Sequence, residues 1–124
     1  MGTMTDIIAL RLVIRGRVQA VHYRKTAQAR ARALTLRGWT RNLPDATVEI
    51  VVQGEEFQLV QFVNWCYRGP ERARVTDVHI ERTAVETADD FVVLPDGSRA
   101  DARSLRKRFS AHVPPSFPLH TLPV

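Results

Sequence analysis

Gly16-Arg17-Val18-Gln19-Ala20-Val21-His22-Tyr23-Arg24 is the stretch on which the reading of the fold turns. Upstream, residues 7–15 alternate, with Ile8, Leu10, Leu12 and Ile14 on one face and Arg11 and Arg15 on the other. That pattern predicts a half-buried strand. Downstream, residues 25–36 are rich in Ala, Leu, Arg and Gln, all good helix formers. Ala27, Ala31 and Leu34 recur at helical spacing, and Gly38 is the expected stop. The nine residues therefore carry a strand into a helix through a small-residue loop, with Gly16 read as the residue that permits a tight turn. Such a junction suits an oxyanion. Unpaired amides of the loop and first helical turn converge there, and the helix dipole adds partial positive charge. Arg24 sits at the helix start, where a cation opposes the dipole unless an anion lies between them.

The rest of the chain supplies the partners of this unit. Residues 39–42 read as a short strand, and Asn42-Leu43-Pro44-Asp45-Ala46 carries turn residues. Residues 47–53 alternate again, with Val48, Ile50 and Val52 on one face, and Gly54 ends the run. Glu55-Glu56 opens a second helix to about Tyr67, with Leu59, Phe62, Val63 and Cys66 as its apolar stripe, closed by Arg68-Gly69-Pro70. Val75, Val78 and Ile80 mark a fourth strand, and residues 91–94 a fifth. The order β-α-β-β-α-β with its last strand is the α+β, ferredoxin-like sandwich of two split βαβ units. Both helices are expected on one face of a mixed sheet. The expected division is a disordered N-terminus or cloning remnant (residues 1–6), one domain (7–95) and a basic, proline-rich tail (96–124). Met1-Gly2-Thr3 before a second Met reads as a cloning remnant.

Composition bounds the function classes. At 124 residues, 44% hydrophobic and 25% charged, the chain suits one soluble domain with its own core. Cys66 is its single cysteine, which excludes an internal disulfide and points to a reducing compartment, hence a cytoplasmic location. No signal peptide or membrane-length apolar run is read. The net charge is +5, and residues 96–124 supply five cations against two carboxylates, so the basic excess is weighted to the tail. RNA binding by the sheet would need aromatics on the central strands. Residues 7–15 and 47–53 have none, which argues against nucleic acid.

The loop motif, Gly38-Trp39-Thr40-Arg41-Asn42 and Asp45-Ala46-Thr47-Val48-Glu49 follow one another in order. Together they resemble the acylphosphatase family, whose pattern is G-x-V-Q-G-V-x-[FY]-R, then G-W-V-R-N, then D-G-x-V-E. The resemblance covers residues 8–95, so the domain of residues 7–95 is expected to be acylphosphatase-like. It implies hydrolysis of acyl phosphates to carboxylate and phosphate; beside it, the expectation is a monomer that works without metal or other cofactor and without a membrane. It assigns Arg24 and the phosphate-binding loop (Gly16, Arg17, Val18, Gln19, Ala20, Val21, His22 and Tyr23) to the phosphoryl group, and Asn42 to the attacking water. Inorganic phosphate is then a second ligand. Arg24 and Asn42 would be the catalytic pair. A neutral amide is no general base near pH 7, so Asn42 contributes alignment alone. The leaving carboxylate, whose acid has a pKa of about 4, needs no general acid. The implied proton acceptor is an oxygen of the substrate's own phosphate. The histidines and acids show no metal-ligand spacing.

Two departures stand against the pattern. Ala20 and Ala46 replace family glycines. If the loop requires positive φ, Ala20 is strained by roughly 1–2 kcal/mol and its methyl crowds the phosphate. Ala46 is expected only to change the turn type. The rival reading is a catalytically weak, anion-binding module of the same fold. Gln19 has no catalytic role in this reading, His22 is a variable loop position, and Cys66 is a buried small hydrophobe.

Overall fold

Strand β1 (Ile8–Arg17) lies inside the sheet and is the element around which the domain is built. The protein is described by a computed structural model covering residues 6–96; residues 1–5 and 97–124, which hold most of the expected N-terminal segment and tail, lie outside the described residues. After β1 come α1 (Tyr23–Ala33), β2 (Arg37–Asn42), β3 (Val48–Gly54), α2 (Glu56–Arg68), β4 (Arg74–Thr83) and β5 (Phe91–Val93). The sheet runs β4-β1-β3-β2-β5, antiparallel except for the β2–β5 pair. The ferredoxin-like α+β sandwich is therefore as expected.

Alternation sorts the strand residues onto two faces. Leu10, Leu12 and Ile14 of β1, with Val48, Ile50 and Val52 of β3, join the core with both helices. On α1 the buried positions are Tyr23, Ala27 and Ala31, a narrow stripe whose two alanines let the helix lie close to the sheet. On α2 they are Leu59, Phe62, Val63, Trp65 and Cys66. Trp65 bridges the helices, its ring 5.2 Å from Tyr23 and 6.1 Å from Phe62, and Phe62 reaches Phe91 at 6.1 Å. Helix α1 also pins β5 alongside β2. Gln28 Nε2 donates to the Phe91 carbonyl at 2.9 Å, and Arg32 pairs with Asp90.

Two local expectations need correction. Helix α1 stops at Ala33, three residues before the predicted end, and Gly38 is not its stop but a residue of β2. The turn is closed by Thr35 at φ 57°: its amide donates to the Arg32 carbonyl, and the Leu36 amide donates to that of Ala31. This is the paired closure that usually recruits glycine, here carried by a threonine and anchored by buried Leu36. Gly16 does not make a turn either. It lies within β1 at a register shift opposite β4, with φ 122°, where any Cβ would run into the Arg74 carbonyl. Close strand approach, not chain reversal, demands glycine there.

Candidate active site

The end of β1, the start of α1, the end of β2 and the residues after β5 meet at one corner of the domain. A cleft of about 240 Å³ opens there, lined by Val18, Ala20, His22, Tyr23, Arg24, Lys25, Asn42 and Val93. Helix α1 enters this corner without a side-chain cap and without an acidic residue in its first turn. Among the described residues, no amide from Gln19 to Lys25 donates to a backbone carbonyl. A helix start left open in this way offers its donors to an anion.

Arg24 and Asn42 converge on a single carboxylate. Arg24 Nη1 donates to Asp96 Oδ1 at 2.9 Å and to the Leu94 carbonyl at 3.3 Å. Asn42 Nδ2 donates to Asp96 Oδ2 at 3.3 Å. Asn42 is 9% exposed, and its Oδ1 has no hydrogen-bonding partner in the protein. Leaving a buried acceptor unpaired costs about 1–3 kcal/mol, so such an atom marks a place suited to an external donor.

The predicted loop residues divide by role. Gly16 and Arg17 belong to β1 and do not line the cleft; Val18, Ala20, His22 and Tyr23 do. Tyr23 opens α1, buried, with its hydroxyl donating to the Cys66 carbonyl at 2.6 Å. Gln19 and Val21 do not line the cleft either. Gln19 turns away to act as a strut, its Nε2 donating to the carbonyls of Leu43 and Thr47 at 2.9 Å each. It thereby ties the loop to the turn that follows Asn42. Cys66 is fully buried, and desolvation pushes its thiol well above the ordinary pKa, which leaves it inert. Among the described residues, no three His, Cys, Asp or Glu side chains are grouped to hold a metal ion, and no helix is long and apolar enough to cross a membrane.

The acylphosphatase family model matches residues 10–93. The chain belongs to the acylphosphatase family. It is 48% identical over 81 residues to an acylphosphatase of Marinobacter nauticus, covering 64% of this chain and 88% of that one. An acylphosphatase of Albidiferax ferrireducens is 52% identical over 77 residues, covering 62% and 83%. Among solved structures, an acylphosphatase from Coxiella burnetii superposes with a TM-score of 0.70 at 32% identity, over 72% of this chain and 94% of that one.

The acylphosphatase motifs acquire a physical reason from the sheet register. Arg41 of the second motif and Glu49 of the third stand directly opposite each other on β2 and β3. Glu49 Oε1 accepts from Arg41 at 2.8 Å, and its Oε2 accepts from Arg11 Nε at 2.7 Å. Arg11 continues to Glu81 at 3.0 Å. This chain of charges crosses four strands on the face turned away from the helices, and it fixes the strand end that carries Asn42. The network, the Gln19 strut and Asp96 all escaped the sequence reading. The network left a trace there as the R and E of the family motifs, and the strut as the Q of the loop motif, but Asp96 left none.

The two alanines that depart from the acylphosphatase pattern both lie in the left-handed region that favours glycine. Ala20 has φ 61° and Ala46 has φ 72°. For Ala46 this overturns the expected change of turn type. The Ala46 amide bonds back to the Leu43 carbonyl at 3.2 Å, and the Leu43 amide bonds to that of Thr47 at 2.9 Å. The loop tolerates a second left-handed residue, His22, at φ 64° and ψ 26°.

Ala20→Gly and Ala46→Gly should therefore both relieve backbone strain, with a net gain of up to about 1 kcal/mol each after the glycine entropy cost. Only Ala20→Gly should raise kcat/KM, several-fold, because only Ala20 puts a methyl into the cleft. Chemical denaturation and steady-state kinetics on the two variants check this. Equal kinetics in both would show that the Ala20 methyl does not crowd the substrate.

Proposed function

We propose that this chain hydrolyses acyl phosphates at the cleft between the loop, Arg24 and Asn42, as a cytoplasmic monomer acting on a small substrate. The observation that carries the reading is the meeting of Arg24 and Asn42 on one anion-sized position, at 2.9 and 3.3 Å from the two oxygens of a single carboxylate. A phosphoryl group placed there would receive the guanidinium of Arg24 and the open amides of the helix start. The unpaired Oδ1 of Asn42 would accept a hydrogen bond from the attacking water and aim its oxygen at phosphorus. The new P–O bond forms from the water, the bond between phosphorus and the acyl oxygen breaks, and its electron pair leaves with the carboxylate. The water's proton passes to a phosphate oxygen of the substrate. A loose phosphoryl-transfer transition state asks chiefly for charge stabilisation and alignment, and these groups supply both.

The expected result with an aryl acyl phosphate is release of carboxylate and phosphate in equal amounts, unchanged by a metal chelator. Loss of turnover with chelator would overturn the metal-free chemistry. No turnover at high enzyme concentration, with phosphate still bound, would instead leave an anion-binding module.

A further inference from the structure

Asp96 belongs to no family motif described above, yet it touches both residues on which the proposed chemistry rests. It reaches them by a short, defined path. The Leu94 amide extends the β5 ladder by one bond to the Thr40 carbonyl at 2.8 Å, and the Leu94 carbonyl accepts from Arg24. Pro95, with its restricted φ, then separates this anchored residue from Asp96. The carboxylate that arrives is bidentate in its use of the site, one oxygen on Arg24 and the other on Asn42. A carboxylate and a phosphoryl group present the same feature to the Arg24 guanidinium, two or more anionic oxygens in a fork.

We propose that Asp96 is an internal competitor for the anion site, a strap whose carboxylate must swing off Arg24 and Asn42 before a phosphoryl group can bind. The inference rests on the reading of the cleft as the phosphoryl site. Two anions do not share the Arg24 guanidinium at contact distance, since like charges there repel, and a carboxylate on Asn42 Nδ2 also covers the residue that must receive the water. The strap side chain is 63% exposed and that of Arg24 29%, so release into solvent is unobstructed and the pair is a weak one. Occupancy by the strap lowers apparent affinity in proportion to the time the site is covered.

The test compares the full chain with Asp96→Asn and Asp96→Ser, using inorganic phosphate as the probe by calorimetry and as an inhibitor of aryl acyl phosphate hydrolysis. Asp89→Asn, an exposed acid outside the cleft, controls for the added charge. Both Asp96 variants should bind phosphate about three- to fivefold more tightly, the range of an exposed ion pair, with kcat within about twofold of the parent. The gap should close in high salt. Phosphate affinity equal to that of the parent would overturn the strap. So would a tenfold or greater fall in kcat, which would make Asp96 an acceptor for the water's proton. If none of the proteins hydrolyses the substrate but the affinity ratio holds, the proposed reaction fails and the strap stands.

Discussion

Arg24→Ala should reduce kcat/KM by about 10²–10³-fold, equivalent to about 3–4 kcal/mol of transition-state stabilisation, and should weaken phosphate inhibition as well. Arg24 meets the anion in the ground state and again when negative charge redistributes over the phosphoryl oxygens, so both quantities fall together. Asn42→Ala should behave differently. It removes the acceptor that aims the water while leaving the guanidinium and the helix start in place, so kcat should drop about 10²-fold with phosphate inhibition nearly intact. Folding should be spared in Arg24→Ala, since the ion pair lost is largely solvated and worth at most about 1 kcal/mol. Inhibition constants for phosphate measured on both variants decide the matter. An equal collapse of phosphate affinity in the two would show that Asn42 binds the anion rather than the water, and the division of roles proposed above would be wrong.

Glu49→Ala should cost about 3–5 kcal/mol of stability, more than any other single change considered above. Glu49 is 2% exposed and Arg41 4%, and the carboxylate holds Arg41 and Arg11 at once. Its removal leaves two guanidinium groups facing the hole, one of them deep in the protein. For a domain of this size each kcal/mol moves the melting temperature by about 4–8 °C, so a fall of more than about 10 °C is expected. Thermal unfolding followed by circular dichroism measures it. Replacing Arg41 and Glu49 together with apolar residues of similar volume should recover much of the loss, because the penalty comes from the stranded charge. A melting temperature within about 3 °C of the parent for Glu49→Ala would mean that water reaches Arg41 and that the network is solvated.

The strands and helices were legible because their signals are local. Leu10, Leu12 and Ile14 announce β1 by period two, and Leu59, Phe62, Val63 and Cys66 announce α2 by its helical stripe. The end of α1 was misread because glycine was sought where Thr35 does the work; a threonine in the left-handed region gives no sign of itself in one sequence. The cleft was half legible. Arg24 and Asn42 stood out through their motifs, and the structure brings them to one point. Gln19 was named by its motif but its role as a strut was not legible, since its partners are the carbonyls of Leu43 and Thr47, and a carbonyl looks alike at every position. Asp96 was invisible for a related reason. It is 72 residues from Arg24, and in sequence it is one more acid ahead of a basic tail.

The place of β1 in the sheet has a consequence for how the chain is made. The strand synthesised first is flanked by β3 and β4, and its pairing with β4 joins Arg11 to Glu81 across 70 residues of chain. Neither neighbour exists while β1 leaves the ribosome. Leu10, Leu12 and Ile14 must wait uncovered until β3 is made, and the β4 side of the strand stays open until nearly the whole domain has emerged. Local helix formation cannot shorten that wait, because the entropy of closing the long loop has to be met before the pairing yields anything in return. Nascent chains of this protein are thus exposed to a neighbour's unpaired strand until β4 is made, and a chaperone that shields the short apolar segment of β1 would cover the vulnerable interval.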